Sequence, residues 1–397
     1  MEWSRETTEL QSITVCTFLS LILALLGLFF QNVFLLLIFL ISFLIFYSAQ
    51  VYINKAGEKL AFQNQRSREK LNKGDHGVWS FTFRNGGMPI LNGSLILRFN
   101  DVVHPVEAAY DEFPGGIIEM RVPFSINKHE SICIEFPVKA QRRGLAKIDK
   151  MFVEIPNLFG SGEVHMQYKK PVKTELLVFP QKQTVDGFTS AHSKTQGLFT
   201  VHDSLFKDPF QPVGTRDYSP GDSFADINWK ATARMQSLQT KVNSPATSRN
   251  WLITLNISSQ YSITGELEDL IERTAYMIDM AARNDIPFSL AINVRSLNRT
   301  PFYYLPIGEG RMQRQRALEM LSVLSVEDVT FPFSIMYQYL IMHHHVPPVL
   351  ISAGIQDYES EKLLSIISQR DVSVFLLENI KEQGVLRTWK QHSRKFA

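Results

Sequence analysis

Residues 13 to 52 carry no charged side chain. Ile13 to Phe30 is an apolar run, Gln31-Asn32 interrupts it, and Val33 to Tyr52 resumes it. A bilayer core of about 30 Å takes about 20 helical residues. The pattern therefore predicts two transmembrane helices joined by a minimal turn at Gln31-Asn32, preceded by a tail at 1–12. From about residue 58 to 180 the pattern changes to short alternating runs, such as Val78 to Phe83, Ser94 to Phe99, Ser131 to Phe136, Ile148 to Val153, Glu163 to Tyr168 and Glu175 to Phe179. Asn92-Gly93 between two such runs is a hairpin turn. Six to eight short strands at this spacing predict an immunoglobulin-like β-sandwich. Residues 181–250 are polar and weakly periodic, and read as a connector. The apolar run Trp251 to Ile257 then has the texture of a strand buried on both faces. A helix from Gly265 to about Arg283 follows, then strands at Pro287 to Val294 and Phe302 to Pro306. Further on come helices at Gln313 to Val323 and one ending near His343, a strand at Val349 to Ser352, a helix at Asp357 to Arg370 and a last strand at Val372 to Leu377. This alternation predicts an α/β domain at 251–380, Rossmann-like, with a parallel sheet covered on both faces. Residues 381–397 form a basic tail.

The densest cluster of special residues lies in the connector, from Arg216 to Arg234. Ser219-Pro220-Gly221-Asp222 has the composition of a tight turn. Asp222 stands where a helix N-cap is expected. Beyond it Phe224, Ile227 and Ala231 fall on one helical face, and Asp222, Asp226, Lys230 and Arg234 on another at spacings of four. Two readings follow. The stretch is a polar docking surface, with Arg216, Lys230 and Arg234 as partners for carboxylates or other anions. Otherwise it is a buried ion-pair network that locks domains together. It contains no nucleophile beside a base.

Arg216-x-Tyr218-x-Pro220-Gly221-Asp222, followed after four residues by Ile227-x-Trp229 and Ala233-Arg234, resembles the signature of the bacterial "domain of unknown function 58" family. Gln141-Arg142-Arg143-Gly144 with Pro156-Asn157-Leu158-Phe159-Gly160 is similar to a second region of that family, with Asn157 near the usual acid. Gly74-Asp75 through Asn85-Gly86-Gly87-Met88-Pro89 resembles its first hairpin. The resemblance implies a membrane-anchored protein with a von Willebrand A-like domain, a MoxR-type AAA+ ATPase as partner, and no assigned chemistry. It also implies where a metal would sit, since such domains hold Mg²⁺ with an Asp-x-Ser-x-Ser loop after the first strand. Here the loop reads Asn256-Ile257-Ser258-Ser259-Gln260, and a later strand ends in Ser352-Ala353-Gly354. Hard cations take anionic oxygen ligands, so the loop is degenerate and the expectation is no metal and no cofactor.

Charge and composition add three constraints. The formal net charge of +2 gives no nucleic-acid footprint. The two cysteines, Cys16 and Cys133, fall in a membrane run and a strand, which suits a reducing compartment. Glu2, Glu6 and Glu9 against Arg5 argue against a cleaved signal peptide, while Lys55, Lys59, Arg66, Arg68 and Lys70 follow the second helix. Positive residues stay inside, so a multi-pass cell-membrane protein is expected, with both ends of the hairpin and the large domains in the cytoplasm. His343-His344-His345 suggests a metal, but consecutive helical side chains diverge by about 100°, and imidazolium at a helix end is the simpler reading. His192 and His202 read as loop residues. The tail residues Lys381, Arg387, Lys390, Arg394 and Lys395, against Glu382, suit an anionic membrane surface, a partner or plain solvent. The combined expectation is a non-catalytic membrane-anchored scaffold or adaptor. The alternative is an enzyme at the inner membrane face that uses the Arg216 to Arg234 stretch.

Overall fold

Two apolar helices lie near the start of the chain, α1 (Leu10–Phe29) and α2 (Val33–Lys55). The computed structural model describes residues 2–8, 10–158, 162–187, 207–220, 222–245, 250–259, 262–344, 346–370, 372–380 and 383–389. The chain divides into two compact units, Met1–Gln181 with Glu319–Leu324, and Lys182–Leu318 with Ser325–Ala397. The helical hairpin turns where the pattern breaks. Gln31 takes φ 52°, and Asn32 caps α2 by accepting from the Phe34 and Leu35 amides at 3.1 and 3.3 Å. Both helices are long and apolar enough to cross a membrane, and most of their large apolar side chains face outward. The foot of α2 differs: Ala49, Tyr52, Ile53 and Ala56 are buried in the core of the sandwich that follows.

Among the described residues, that sandwich holds twelve strands. They are β1 (Trp3–Thr7), β2 (Leu60–Phe62), β3 (Ser67–Asn72), β4 (His76–Asn85), β5 (Ile90–Asn100), β6 (Val103–Pro105), β7 (Tyr110–Phe113), β8 (Ile117–Ile126), β9 (Ser131–Ala140), β10 (Gly144–Pro156), β11 (Glu163–Tyr168) and β12 (Thr174–Phe179). One sheet runs β1-β11-β10-β5-β8-β7, with β12 on β10 and β3 on β12. The other runs β2-β4-β9-β6. Pairing is antiparallel throughout except β3 with β12. Period-two alternation on β4 sends Trp79, Phe81 and Phe83 inward, where Trp79 meets Phe99 edge-on at 4.9 Å. Residues 3–7 were expected in a tail. They instead pair with β11, with Trp3 packed on Tyr168. Arg143 donates to the carbonyls of Leu321, Ser322 and Leu324, which group with this same unit. Phe159 and Gly160 lie outside the described residues. Cys16 and Cys133 are both free.

The second unit is built on a seven-stranded mixed sheet. Its strands are β13 (Val185–Asp186), β16 (Trp251–Leu255), β19 (Phe288–Arg295), β20 (Phe302–Gly308), β21 (Val349–Ala353), β22 (Ser373–Ile380) and β23 (Gln383–Thr388), with β14 (Lys207–Asp217), β15 (Gln239–Pro245), β17 (Ser258–Ser259) and β18 (Ser262–Ile263) forming two side ribbons. The order is β13-β23-β22-β21-β16-β19-β20. The helices are α3 (Trp229–Met235), α4 (Leu267–Arg283), α5 (Gly310–Ser322, of which Glu319–Ser322 belong to the first unit), α6 (Phe333–His343) and α7 (Tyr358–Ser368). The four central strands are parallel, and β16 is buried along its whole length. The expected all-parallel sheet is corrected at its edges. β20 and β23 run antiparallel to their neighbours because only short loops precede them. A parallel return needs a crossover of a dozen or more residues. The basic residue Arg387 accordingly lies in an edge strand, paired with Glu378, while Lys381, Glu382, Lys390, Arg394 and Lys395 lie outside the described residues.

Candidate functional site

The signature stretch closes the β14–β15 ribbon. Arg216 stands opposite Thr240 and Asp217 opposite Gln239. Asp222 organises the turn between them: one carboxylate oxygen accepts from Arg216 Nη2 at 2.5 Å, the other from the Ser219 amide at 3.0 Å and Thr240 Oγ1 at 3.1 Å. These donors, the Ser219 amide first, hold the Asp222 carboxyl below its ordinary value. Asp222 therefore ties the turn to the ribbon and does not cap a helix. The single helix expected from Asp222 to Arg234 is two pieces: a 3₁₀ turn at Phe224–Asp226 capped by Ser223, and α3 capped by Asn228, whose Oδ1 accepts from the Ala231 amide. Ile227 lies between them and is buried. Asp217 accepts from Gln239 Nε2 at 2.5 Å. Arg216 is 47% exposed, so its ion pair with Asp222 is not the buried network considered above. Lys230 and Arg234 are exposed. Trp229 is 63% exposed and Phe224 72%. Tyr218 is half-buried with its ring near Phe224, Pro220 is exposed, and Gly221 lies outside the described residues.

At the carboxyl ends of the central strands, where α/β sheets place ligands, the side chains are neutral and bound to one another. Asn293 Nδ2 donates to Asn256 Oδ1 (2.6 Å) and Ser258 Oγ (3.1 Å), while Asn293 Oδ1 accepts from the Ile257 amide (2.7 Å). Ser258 Oγ donates to Asn256 Oδ1 at 2.7 Å, and Asn256 Nδ2 donates to the Ile355 carbonyl at 2.5 Å. Gly354 packs so closely on this loop that a Cβ would sit 2.2 Å from the Asn256 carbonyl oxygen, at φ +95°. Behind it Tyr337, fully buried, shares its hydroxyl with Thr254 (3.0 Å) and Ser352 (2.7 Å). Gln260 lies outside the described residues. No cluster of three or more His, Cys, Asp or Glu side chains suited to a metal occurs among the described residues.

Residues 214–375 match the sequence profile of the family described as "Protein of unknown function DUF58". The region begins two residues before Arg216 and ends inside β22, so it contains both the signature ribbon and the strand-end network. A Bacillus subtilis (strain 168) protein, "Uncharacterized protein YeaD", is 29% identical over 111 residues, 28% of this chain; the match spans about a quarter of that relative's length, 26%. Among solved structures, a non-cellulosomal cohesin from Archaeoglobus fulgidus is similar at 14% identity over 34% of this chain and 97% of its own, TM-score 0.20. A putative membrane anchored protein from Corynebacterium diphtheriae is similar at 9% identity over 32% and 35% respectively, TM-score 0.18. Neither likeness is close enough to carry a functional argument.

Sequence reasoning missed a charge centre in the second unit. Asp279 on α4, 4% exposed, binds Lys182 Nζ (2.7 Å), Arg283 Nε (2.8 Å) and Arg314 Nε (2.8 Å). Six residues earlier on α4, buried Arg273 donates to Gln183 Oε1 at 2.9 Å. Together they pin residues 182–183 to α4, next to β13. The charged positions Asp279 and Arg273 inside an otherwise apolar helical stripe were the available signal. The histidines are held by aromatic rings: His343 stacks on Tyr339 at 4.2 Å and His344 lies 4.5 Å from Tyr304. Burial, with His343 nearby, lowers His344 from its ordinary value. His345, His192 and His202 lie outside the described residues.

Proposed function

We propose that this chain is a non-catalytic, membrane-anchored adaptor. Its two apolar helices would span the cell membrane, with the large domains in the cytoplasm. The sandwich, read as immunoglobulin-like, acts as a spacer. The second unit, read as a von Willebrand A-like domain, presents a binding face. The observation that carries this reading is the strand-end network. The position that hosts chemistry or metal in related sheets is occupied by amides and hydroxyls that satisfy one another. Around it the strand-end loops carry exposed apolar side chains, Leu297, Ile355 at 54% and Tyr358 at 77%, which suits recognition of a protein surface. The family resemblance supplies the partner class, a MoxR-type AAA+ ATPase, and with it a role in assembling or maturing other proteins. The enzyme alternative fares less well. Asp222 is tuned towards a permanent carboxylate, whereas a proton-transfer group needs a value near the working pH.

The test is purification of the tagged full-length protein from its own membranes in mild detergent, with identification of retained proteins. Retention of the ATPase, lost on Tyr358→Ala with Ile355→Ser, supports the adaptor. Absence of the ATPase from the wild-type preparation overturns this partner.

A further inference from the structure

The segment between β14 and β15 carries more exposed apolar surface than its small core explains. Ile227 is buried at 2%, and Gln239 and Thr240 close the ribbon beneath it. Outside that core, Phe224 is 72% exposed, Trp229 63%, Met235 67% and Leu238 42%. Single exposed apolar residues are ordinary, but four of them between positions 224 and 238 leave this segment with large side chains turned to solvent. Two cations share the segment. Lys230 and Arg234 stand one helical turn apart on α3, both exposed, and neither has a carboxylate within salt-bridge distance among the described residues. The nearby acids do not neutralise them. Asp222 is engaged by Arg216, Ser219 and Thr240, and Asp217 by Gln239, while Asp226 is half-buried at the end of the 3₁₀ turn.

We propose that this surface seats in the headgroup region of an anionic bilayer, a reading that rests on membrane anchoring by α1 and α2. Tryptophan and phenylalanine beside lysine and arginine are the side chains that settle at a membrane interface, the rings among the upper acyl chains and the cations among phosphates. Lipid is favoured over a protein occupant by tethering. A chain held at a bilayer by its own helices meets that bilayer at high effective concentration, so a surface of modest affinity is enough.

The experiment uses the full-length protein in nanodiscs of phosphatidylethanolamine with or without phosphatidylglycerol, with brominated acyl chains as fluorescence quencher. Comparing wild type with Trp229→Phe isolates the emission of Trp229. The expected result is loss of that emission in brominated discs containing phosphatidylglycerol. Lys230→Glu with Arg234→Glu should restore it without lowering the melting temperature, since both side chains are exposed. Trp229 emission unaffected by brominated lipid overturns the proposal. So does protection from an aqueous quencher without quenching by lipid, which would place a protein or a second copy on this surface. Quenching that ignores phosphatidylglycerol overturns the role of the cations. Incorporation into the discs is read separately: a protein that stays in solution overturns the anchored reading and this inference with it.

Discussion

Asn293 donates its side-chain amide to Asn256 Oδ1 at 2.6 Å, joining the ends of two adjacent parallel strands. The same Asn256 oxygen accepts from the Ser258 amide and hydroxyl, so it takes three donors. Its partner nitrogen gives a hydrogen to the Ile355 carbonyl. Only an amide can do both. A carboxylate has no hydrogen to donate, so the residue type at 256 sets the character of the whole strand-end face.

Asn256→Asp is therefore expected to destabilise the second unit. It places a carboxylate oxygen against the Ile355 carbonyl at a site only 6% exposed. The expected cost is about 1–3 kcal/mol, that of an unsatisfied buried polar group, read by thermal melting in metal-free buffer. Calorimetric titration of the wild-type protein with Mg²⁺ should give no saturable heat. Saturable binding that disappears in Ser258→Ala would show that the loop holds a cation after all.

Asp279 makes a second, quantitative case. Removing one side of a buried charge pair costs about 3–5 kcal/mol, but here Arg283 is 69% and Arg314 37% exposed and both can turn to water. Asp279→Ala should therefore sit near the lower end, about 3 kcal/mol, whereas Arg283→Ala should stay within about 0.5 kcal/mol as an ordinary surface change. Equal losses from the two substitutions would mean that the carboxylate is not the hub.

Those two sites also mark the reach of the sequence. The hairpin was legible because a charge-free run has few other uses, and its turn because Gln31-Asn32 is its one pair of consecutive polar residues. The inward face of β4 was legible in the alternation of Trp79, Phe81 and Phe83, and β16 in the continuous run from Trp251. What escaped was non-local. Lys182 and Asp279 stand 97 positions apart, and nothing in either neighbourhood names the other. Residues 3–7 carry a single large apolar side chain, and become a strand through pairing with β11. Near the signature, Asp222, Ser223 and Asn228 are all good capping residues, and the choice among them depended on Thr240 from the far strand of the ribbon. With the helix start moved to Asn228, Trp229 faces outward.

Membrane topology is testable without any knowledge of partners. The basic residues from Lys55 to Lys70 follow α2 directly, and positively charged flanks are retained on the cytoplasmic side. Protease added outside intact spheroplasts should leave the sandwich and the α/β unit whole, and digest them once the membrane is opened. Digestion before opening would reverse the orientation.

The turn at Asp222 gives a pH signature. Its carboxyl lies below the ordinary value of 3.8 in the folded protein, because the Ser219 amide, Arg216 and Thr240 all favour the ionised form. A depressed value means that the folded state binds its proton later than the unfolded state does. The contribution to stability is then fully present above the unfolded value, flat from pH 7 to about 5, and lost as pH falls through the folded value. Asp222→Asn lacks this titration. Its melting temperature should lie below that of the wild type at pH 7, and the gap should narrow at acid pH below the ordinary carboxylate range. Other carboxylates titrate in both proteins, so the difference between the two curves is the quantity to read. Arg216→Ala should act more weakly than Asp222→Asn, since Arg216 is 47% exposed and the Ser219 and Thr240 contacts survive its loss. Amide hydrogen exchange at Ser219 supplies the local readout: slow in the wild type, slightly faster in Arg216→Ala, and fast in Asp222→Asn. A large loss of stability from Arg216→Ala, with Ser219 exchange unchanged, would mean that the guanidinium braces something other than this turn.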